Sequence, residues 1–323
     1  MPTPEVLASP PQTAQQGTVI RAQSGFYYIR TPAGEVIESV ARGKLKLARG
    51  DQRVTSKTLV VVGDRVTFEI GPDGRGVITE VAERHSKLAR KAAFKDKEHI
   101  IIANLDQLAI VMAAAHPPPR LRGLDRYLVL AEHNHLDALI VVNKIDLLAP
   151  GVPEEVFDLY TKIGYPVLYT SVKRGQGIDA LRAALVGKIS ALAGPSGVGK
   201  SSLLNAVQPG LGQSVNAISQ ATGKGKHTTT ATHLFPLDEG GFIADTAGLR
   251  EIGLWEMDEG EIAAGFREFR PLIPDCRFSG CTHTHEPGCA VRAAVDSGAI
   301  APQRYESYLR LLEEDVQKDP WEK

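Results

Sequence analysis

The stretch Gly194-Pro195-Ser196-Gly197-Val198-Gly199-Lys200-Ser201 restricts this chain more than any other. It reads G-x-x-x-x-G-K-S, a pattern that acts on phosphate when a strand precedes it and a helix comes after. Residues 190–193 form a short apolar run that predicts a buried strand, and residues 202–207, from Ser202 on, have helical character. Glycines in such a loop let backbone N–H groups converge on phosphate oxygens. The start of the helix adds a dipole that favours anions. Lys200 is expected to reach the β- and γ-phosphates, and Ser201 to place its hydroxyl on Mg2+. The bland alternative is a glycine-rich turn with no ligand. A phosphate loop usually opens its domain, whereas this one begins at residue 194 of 323.

That length is too great for one ordinary domain, at roughly 150 residues each, so two or three are expected. An apolar fraction of 43% supports globular cores. Residues 1–16, rich in Pro, Gln, Ala and Thr, lack the basic start and apolar centre of a signal peptide and read as a disordered tail of a cytoplasmic protein. The net charge of −1 predicts no general attraction to polyanions, so any nucleic-acid surface must come from local clustering. No apolar stretch is long enough to span a bilayer.

Residues 17–83 hold several short β-rich runs, among them 18–21, 25–29, 35–38, 59–62, 65–70 and 76–81, separated by turn signals such as Pro72-Asp73-Gly74. Five or six short strands without helices predict a small barrel of the oligonucleotide-binding (OB) type. It contains the basic residues Arg42, Lys44, Lys46, Arg49, Arg53 and Lys57, which fit a solvated face or phosphate contacts with RNA. Residues 84–99 are basic again, through Lys87, Arg90, Lys91, Lys95 and Lys97. They read as a linker, or as an extension of that surface.

From residue 100 the pattern turns to alternating strands and helices: strands at 107–112, 138–142 and 167–169, helices at 121–136, 153–163 and 178–186, then the phosphate-loop unit. This is a doubly wound parallel sheet. The strand at 138–142 runs into Asn143-Lys144-Ile145-Asp146. In N-K-x-D the carboxylate can accept from both N1–H and the exocyclic amine of guanine, whereas adenine would leave it unpaired. Asn143 can bond the other edge of the base and the Lys144 stem can cover the ring. Thr170 and Ser171, at the end of the next strand, are placed for a backbone contact to the guanine carbonyl.

Beyond the loop, Gly223 to Thr230 is a Gly-flanked Thr cluster suited to a first switch, in which one Thr closes over Mg2+ and the γ-phosphate. Spacing does not choose between Thr228, Thr229 and Thr230. Asp245-Thr246-Ala247-Gly248 ends a strand as D-x-x-G, with Asp245 expected on Mg2+ through water and the Gly248 N–H on the γ-phosphate. The guanine motif therefore precedes the phosphate loop and both switches, a circular permutation of the usual order that a compact domain with close termini tolerates. It also joins the second switch directly to the C-terminal region.

That region carries Cys276-x4-Cys281-x-His283-x5-Cys289, which uses every cysteine in the chain. An odd number of cysteines in one window argues against disulfides. Three thiolates and an imidazole complete tetrahedral Zn2+ and leave no open position, so one structural ion is expected. His285 competes with His283 for the fourth place. Tyr305, Leu309, Leu312 and Val316 recur at helical spacing and close the chain with an amphipathic helix. The phosphate-loop domain is expected to have its own core, so losing the metal should leave nucleotide binding largely intact.

On these marks the chain resembles the ribosome small subunit-dependent GTPase A family, circularly permuted GTPases of bacteria. The resemblance spans about residues 17–314: the barrel, Asn143 to Asp146, Gly194 to Ser201, Gly225-Lys226-His227-Thr228-Thr229-Thr230, Asp245 to Gly248 and the Cys/Cys/His/Cys window. It implies GTP hydrolysis stimulated by the small ribosomal subunit, a role in late maturation of that subunit, and zinc ligation by Cys276, Cys281, His283 and Cys289. Ala247 departs from the proline usual in the second switch. The expected organisation is an OB-like barrel (17–83), a basic linker (84–99), a permuted α/β P-loop GTPase domain (100–252) and a small helical zinc domain (253–323). The expected partners are the small subunit and its rRNA, with no DNA and no membrane, and the protein is expected to be a monomer. Two other readings stand beside this one: a GTPase of a different RNA partner, and a non-catalytic RNA-binding module with a structural nucleotide. Leu249, after D-x-x-G, can neither donate nor accept a hydrogen bond. Water positioning then falls to His227, the nearest polar candidate, with Lys200, Thr229 and Thr230 completing the catalytic set; the resemblance points to His227 too.

Overall fold

The computed structural model describes residues 14–47, 60–92, 95–215, 232–244 and 257–316. His227, Thr228, Thr229, Thr230, Asp245, Ala247, Gly248 and Leu249, the basic residues Arg49, Arg53 and Lys57, and residues 1–13 of the expected tail lie outside them. The chain divides into two compact units, residues 1–104 with 231–234, and residues 105–230 with 235–323.

The first unit is built on a closed five-stranded barrel in the order β1-β2-β3-β5-β4. Its strands are β1 (Gln15–Gln23), β2 (Phe26–Arg30), β3 (Val36–Leu47), β4 (Arg65–Ile70) and β5 (Gly76–Val81). All neighbours run antiparallel except β3 and β5, and β4 returns to β1 to close the ring. Closure leaves no edge strand to template aggregation. Inward residues at alternate positions, including Val19, Ile29, Val66, Phe68 and Ile78, form its core.

Two sequence expectations change here. The described part of the run at 59–62, residues 60–62, supplies no ladder strand: Val60 packs in the barrel core, while Val61 packs with Ile100 and Ala103. The segment 84–99 is not a plain linker. It carries an antiparallel hairpin, β6 (Lys87–Ala92) and β7 (Lys95–Ala103). The buried Leu88 and Ile102, paired across it, fix the hairpin, a feature that the excess of lysine obscures. Arg84 joins its base to the barrel with a bidentate bond to the buried Asp64 at 2.7 and 2.8 Å.

The second unit contains a six-stranded sheet in the order β10-β9-β8-β11-β13-β12. Its strands are β8 (Gln107–Ala113), β9 (Asp137–Asn143), β10 (Val167–Tyr169), β11 (Ile189–Ala193), β12 (Leu234–Pro236) and β13 (Phe242–Ala244). From β10 to β13 the neighbours are parallel. Strand β8 is buried at all seven positions, as a central parallel strand must be. The crossover helices are α1 (Leu121–His133), α2 (Val152–Ile163) and α3 (Ile178–Leu185), and α4 (Lys200–Val207) comes after β11. Chain order reverses between β8 and β11. A crevice therefore opens there at the carboxyl ends of the strands, where open α/β sheets bind ligands.

The C-terminal helices are α5 (Glu259–Ala264), α6 (Ala290–Asp296) and α7 (Pro302–Val316). A reciprocal capping box between Asp258 and Glu261 starts α5, with both bonds at 2.8 Å. These helices do not enclose a core of their own. Val129 and Leu130 of α1 pack into the same cluster as Ile262, Phe266, Tyr308 and Leu311. The phosphate-loop domain does have a core of its own, in which Val111, Val141, Leu192 and Leu204 pack with no residue of the C-terminal helices; the C-terminal cluster instead borrows α1, which also packs on β8 and β9.

Candidate nucleotide site and metal centre

The loop from Gly194 to Gly199 leaves β11 and enters α4 as the sequence predicts. Two of its glycines are forced by neighbours. Gly194 has φ 129°, and a Cβ there would lie 2.1 Å from the Val111 carbonyl oxygen of β8. Gly199 has φ 99°, and its Cβ would lie 2.5 Å from the Asn143 amide nitrogen. The left-handed backbone and the contact each exclude a side chain. Ser196 and Gly197 are exposed at the loop tip, Val198 is buried beneath it, and Pro195 and Ser201 are half-buried. Lys200 Nζ donates to the carbonyls of Gly194 and Pro195, both at 2.7 Å, and so lies across the first turn of the loop. Ser201 and the exposed Ser202 occupy the first turn of α4.

The guanine motif is built into this loop. Asn143, buried at the end of β9, donates from Nδ2 to the Val198 carbonyl at 2.9 Å. Its Oδ1 accepts from the buried Thr170 hydroxyl at 3.2 Å. Lys144 turns the chain with φ 64°, and its Nζ donates to the carbonyls of Gly197, at 2.6 Å, and of His116. One side chain thus ties the phosphate loop, the guanine loop and the loop at 114–120 beyond β8. The Ile145 N–H donates to the Thr170 carbonyl at 3.3 Å.

Asp146, at the mouth of the crevice, accepts from the Ser171 hydroxyl at 2.6 Å. That bond holds its carboxyl below the ordinary range, with help from Lys173 and Arg174. An ionised acceptor is what the two N–H donors of guanine require. Sequence reasoning assigned Thr170 and Ser171 a backbone role. The structure adds that both side chains are buried and orient Asn143 and Asp146.

In the C-terminal region the ligating atoms of Cys276, Cys281, His283 and Cys289 lie within 4.8 Å of one another. His283 Nδ1 is 3.5 Å from Cys276 Sγ and 3.4 Å from Cys289 Sγ. With Zn–S near 2.3 Å and Zn–N near 2.0 Å, a tetrahedral site has S···N edges of about 3.5 Å, so the donors fit zinc in chemistry and spacing. His285, the rival ligand, is exposed and turned to the Thr284 hydroxyl at 2.8 Å. The ligand loop is held from outside. Tyr305 and Tyr308 of α7 donate to the carbonyls of His283 at 2.7 Å and Thr282 at 2.6 Å. Glu286 accepts from the Thr282 amide and hydroxyl and from the Thr284 and His285 amides. Burial works to raise the Glu286 carboxyl, but these donors outweigh it and hold the group well below the usual range.

A second constellation escaped the sequence reading. Arg304 of α7, 1% exposed, bonds Asp125 of α1 at 2.6 Å and Glu268 at 2.6 and 3.1 Å. Tyr160 of α2 donates to the same Asp125 oxygen at 2.7 Å. A signal existed. The buried stripe of α7, Tyr308 with Leu311 and Leu312, reaches Arg304 one turn upstream.

A phosphate loop on β11 and an N-K-x-D loop on β9, cross-braced at the carboxyl edge of a parallel sheet, define a guanine-nucleotide-binding P-loop protein with permuted motif order. Residues 81–255 match the RsgA GTPase family, and residues 16–78 match the RsgA N-terminal domain. The chain belongs to the RsgA GTPase family. It is 48% identical over 307 residues to the small ribosomal subunit biogenesis GTPase RsgA of Gemmatimonas aurantiaca, covering 94% of this chain and 98% of that protein. The protein of the same name from Moorella thermoacetica is 42% identical over 308 residues, with 94% and 98% covered. The crystal structure of YjeQ from Thermotoga maritima matches with TM-score 0.74 and 34% identity, over 94% of this chain and 99% of that one. YloQ, described as a circularly permuted GTPase, matches with TM-score 0.72 and 30% identity, over 95% and 97%. Among the described residues no helix is long and apolar enough to cross a membrane.

Proposed function

We propose that this chain binds GTP with Mg2+, hydrolyses it to GDP and phosphate when docked on the small ribosomal subunit, and assists the maturation of that subunit in the cytoplasm. The observation that carries the reading is the guanine loop braced on the phosphate loop through Asn143 and Lys144, in a chain nearly coextensive with relatives named for small-subunit biogenesis.

In this reading Asp146 accepts from the base, Asn143 and Lys144 hold the loop in register, and Ser196 to Lys200 surround the phosphates. Mg2+ supplies charge neutralisation on the β- and γ-phosphates, and Ser201 and Asp245 are the residues to hold it. Water attacks the γ-phosphorus, and the bond to the β-bridging oxygen breaks. His227 orients the water, one Thr of 228–230 and the Gly248 N–H close on the γ-phosphate, and Lys200 offsets the charge that moves to the leaving oxygen. Cys276, Cys281, His283 and Cys289 hold one structural zinc ion. The barrel and its basic residues contact rRNA; neither DNA nor a membrane takes part, and the protein acts as a monomer.

The test is GTP turnover by the wild type and His227→Ala, with and without purified small subunits, at saturating GTP. Stimulation of the wild type only by small subunits, lost in the variant while nucleotide and subunit binding persist, supports the reading. An unstimulated wild type refutes the partner, and a fully stimulated variant refutes the role of His227.

A further inference from the structure

Asp125, Arg304 and Glu268 bury two carboxylates against one guanidinium, with Asp125 and Arg304 each 1% exposed. Such a set holds only while each charge has its partner. Asp125 lies in the opening turns of α1, directly after the loop at 114–120 whose His116 carbonyl accepts from Lys144. Tyr160 lies on α2, the helix next after the guanine loop, and donates to the same Asp125 oxygen that Arg304 holds. The helices that lead into and out of β9 therefore meet at one carboxylate. Arg304 comes from α7, whose Tyr305 and Tyr308 hold the metal-ligand loop. The guanidinium also lies over the Phe266 ring, 4.5 Å from its centroid, so its plane is fixed by packing as well as by charge.

We propose that Arg304 is a positioning residue for the guanine end of the nucleotide, acting through Asp125 and Tyr160 on the two helices that flank β9. The inference rests on the GTPase reading above. Without Arg304, Asp125 is an uncompensated buried charge and must move toward water. It takes with it the start of α1, the 114–120 loop and the anchor of Lys144. The Asp146 loop, between β9 and α2, then loses its fixed geometry. The C-terminal subdomain is in this view part of the base-reading site, although none of its residues touches the base.

The test uses the full chain with zinc bound and compares the parent, Arg304→Met and Arg304→Lys. Three quantities are read: the dissociation rate of fluorescently labelled GDP, the affinity ratio of GDP to IDP, and zinc per chain. IDP lacks the exocyclic amine, so the ratio reports the Asp146 contact and is not moved by a smaller folded fraction. Arg304→Met should release GDP at least about tenfold faster, equivalent to about 1.4 kcal/mol, lower the GDP/IDP ratio by about threefold or more, and keep its zinc. Arg304→Lys, with the charge but not the planar fork, should fall between. Release within about twofold of the parent, or faster release at an unchanged ratio, overturns the proposal, because Arg304 would then be only structural. If Arg304→Met does not fold, Arg304→Lys is judged by the same two criteria. A parent that binds no labelled GDP would refute the GTPase reading instead.

Discussion

Asn143 gives the sharpest test of the site, because one amide performs two separable jobs. Its Nδ2 satisfies the buried Val198 carbonyl at 2.9 Å, and its Oδ1 accepts from Thr170 at 3.2 Å. Asn143→Ala leaves the Val198 carbonyl without this donor, at about 1–3 kcal/mol. Thr170 loses its better acceptor but keeps the Val142 carbonyl at 3.4 Å, so the second loss is about 0.5–1 kcal/mol. Together the cost is about 1.5–4 kcal/mol, or roughly 10- to 1000-fold if it falls entirely on nucleotide affinity. Part of it will fall on the stability of the empty protein, so both must be read, by titration with labelled GDP and by thermal unfolding. Asn143→Asp is the decisive companion. It keeps the acceptor for Thr170 but sets a carboxylate oxygen against the Val198 carbonyl at the same distance, so it should be worse than alanine although it is closer in shape. An aspartate variant that binds GDP as well as or better than alanine would refute the bracing argument.

Asp146→Asn should weaken GTP and favour xanthine nucleotides, whose C2 oxo group meets an amide donor; competition between GTP and XTP for the labelled site reads this. Since the Asp146 pKa is depressed below its ordinary 3.8, the ionised acceptor and guanine affinity should persist at acid pH and fail only as pH drops through the depressed value; Ser171→Ala should move that failure upward, measured by GDP affinity from pH 5.5 downward. Stripping zinc with a chelator should lower GDP affinity together with the order of the C-terminal helices, because Val129 and Leu130 of α1 pack in the C-terminal cluster; metal analysis paired with GDP titration checks this, and unchanged affinity of the zinc-free chain would refute coupling through α1. Neutralising Lys44, Lys46 and Arg49 together should weaken small-subunit binding and flatten its salt dependence in co-sedimentation.

The sheet was legible because its strands are continuous apolar runs with motifs at their ends, and β8 and β9 are buried as such runs demand. Residues 60–62 have the same composition but fold as a buried turn, since Asp64 accepts the Val61 N–H at 2.8 Å and diverts it from a ladder. The hairpin at 87–103 was hidden by its charge, because lysine density says nothing about which alternate residues are covered. The choice between His283 and His285 lay beyond spacing: backbone at φ 58° and the Tyr305 bond to its carbonyl turn His283 inward. Arg304 was least legible. The helical stripe of α7 reaches its position, but burial of an arginine depends on carboxylates 36 and 179 residues away.

That last separation bears on how the chain is made. Asp125 leaves the ribosome long before Arg304, by about 9–36 s at 5–20 residues per second. For most of that interval β9, α2 and β10 are present too, and Tyr160 is available to donate, but the counter-charge is not. A nascent chain can therefore assemble β8, β9 and β10 while α1 still keeps Asp125 in water. If Arg304 positions the guanine end as proposed, the site becomes competent to read guanine only when α7 has been synthesised. Vectorial synthesis would then act as a quality gate, since a chain truncated before residue 304 could display both nucleotide motifs and still hold guanine poorly.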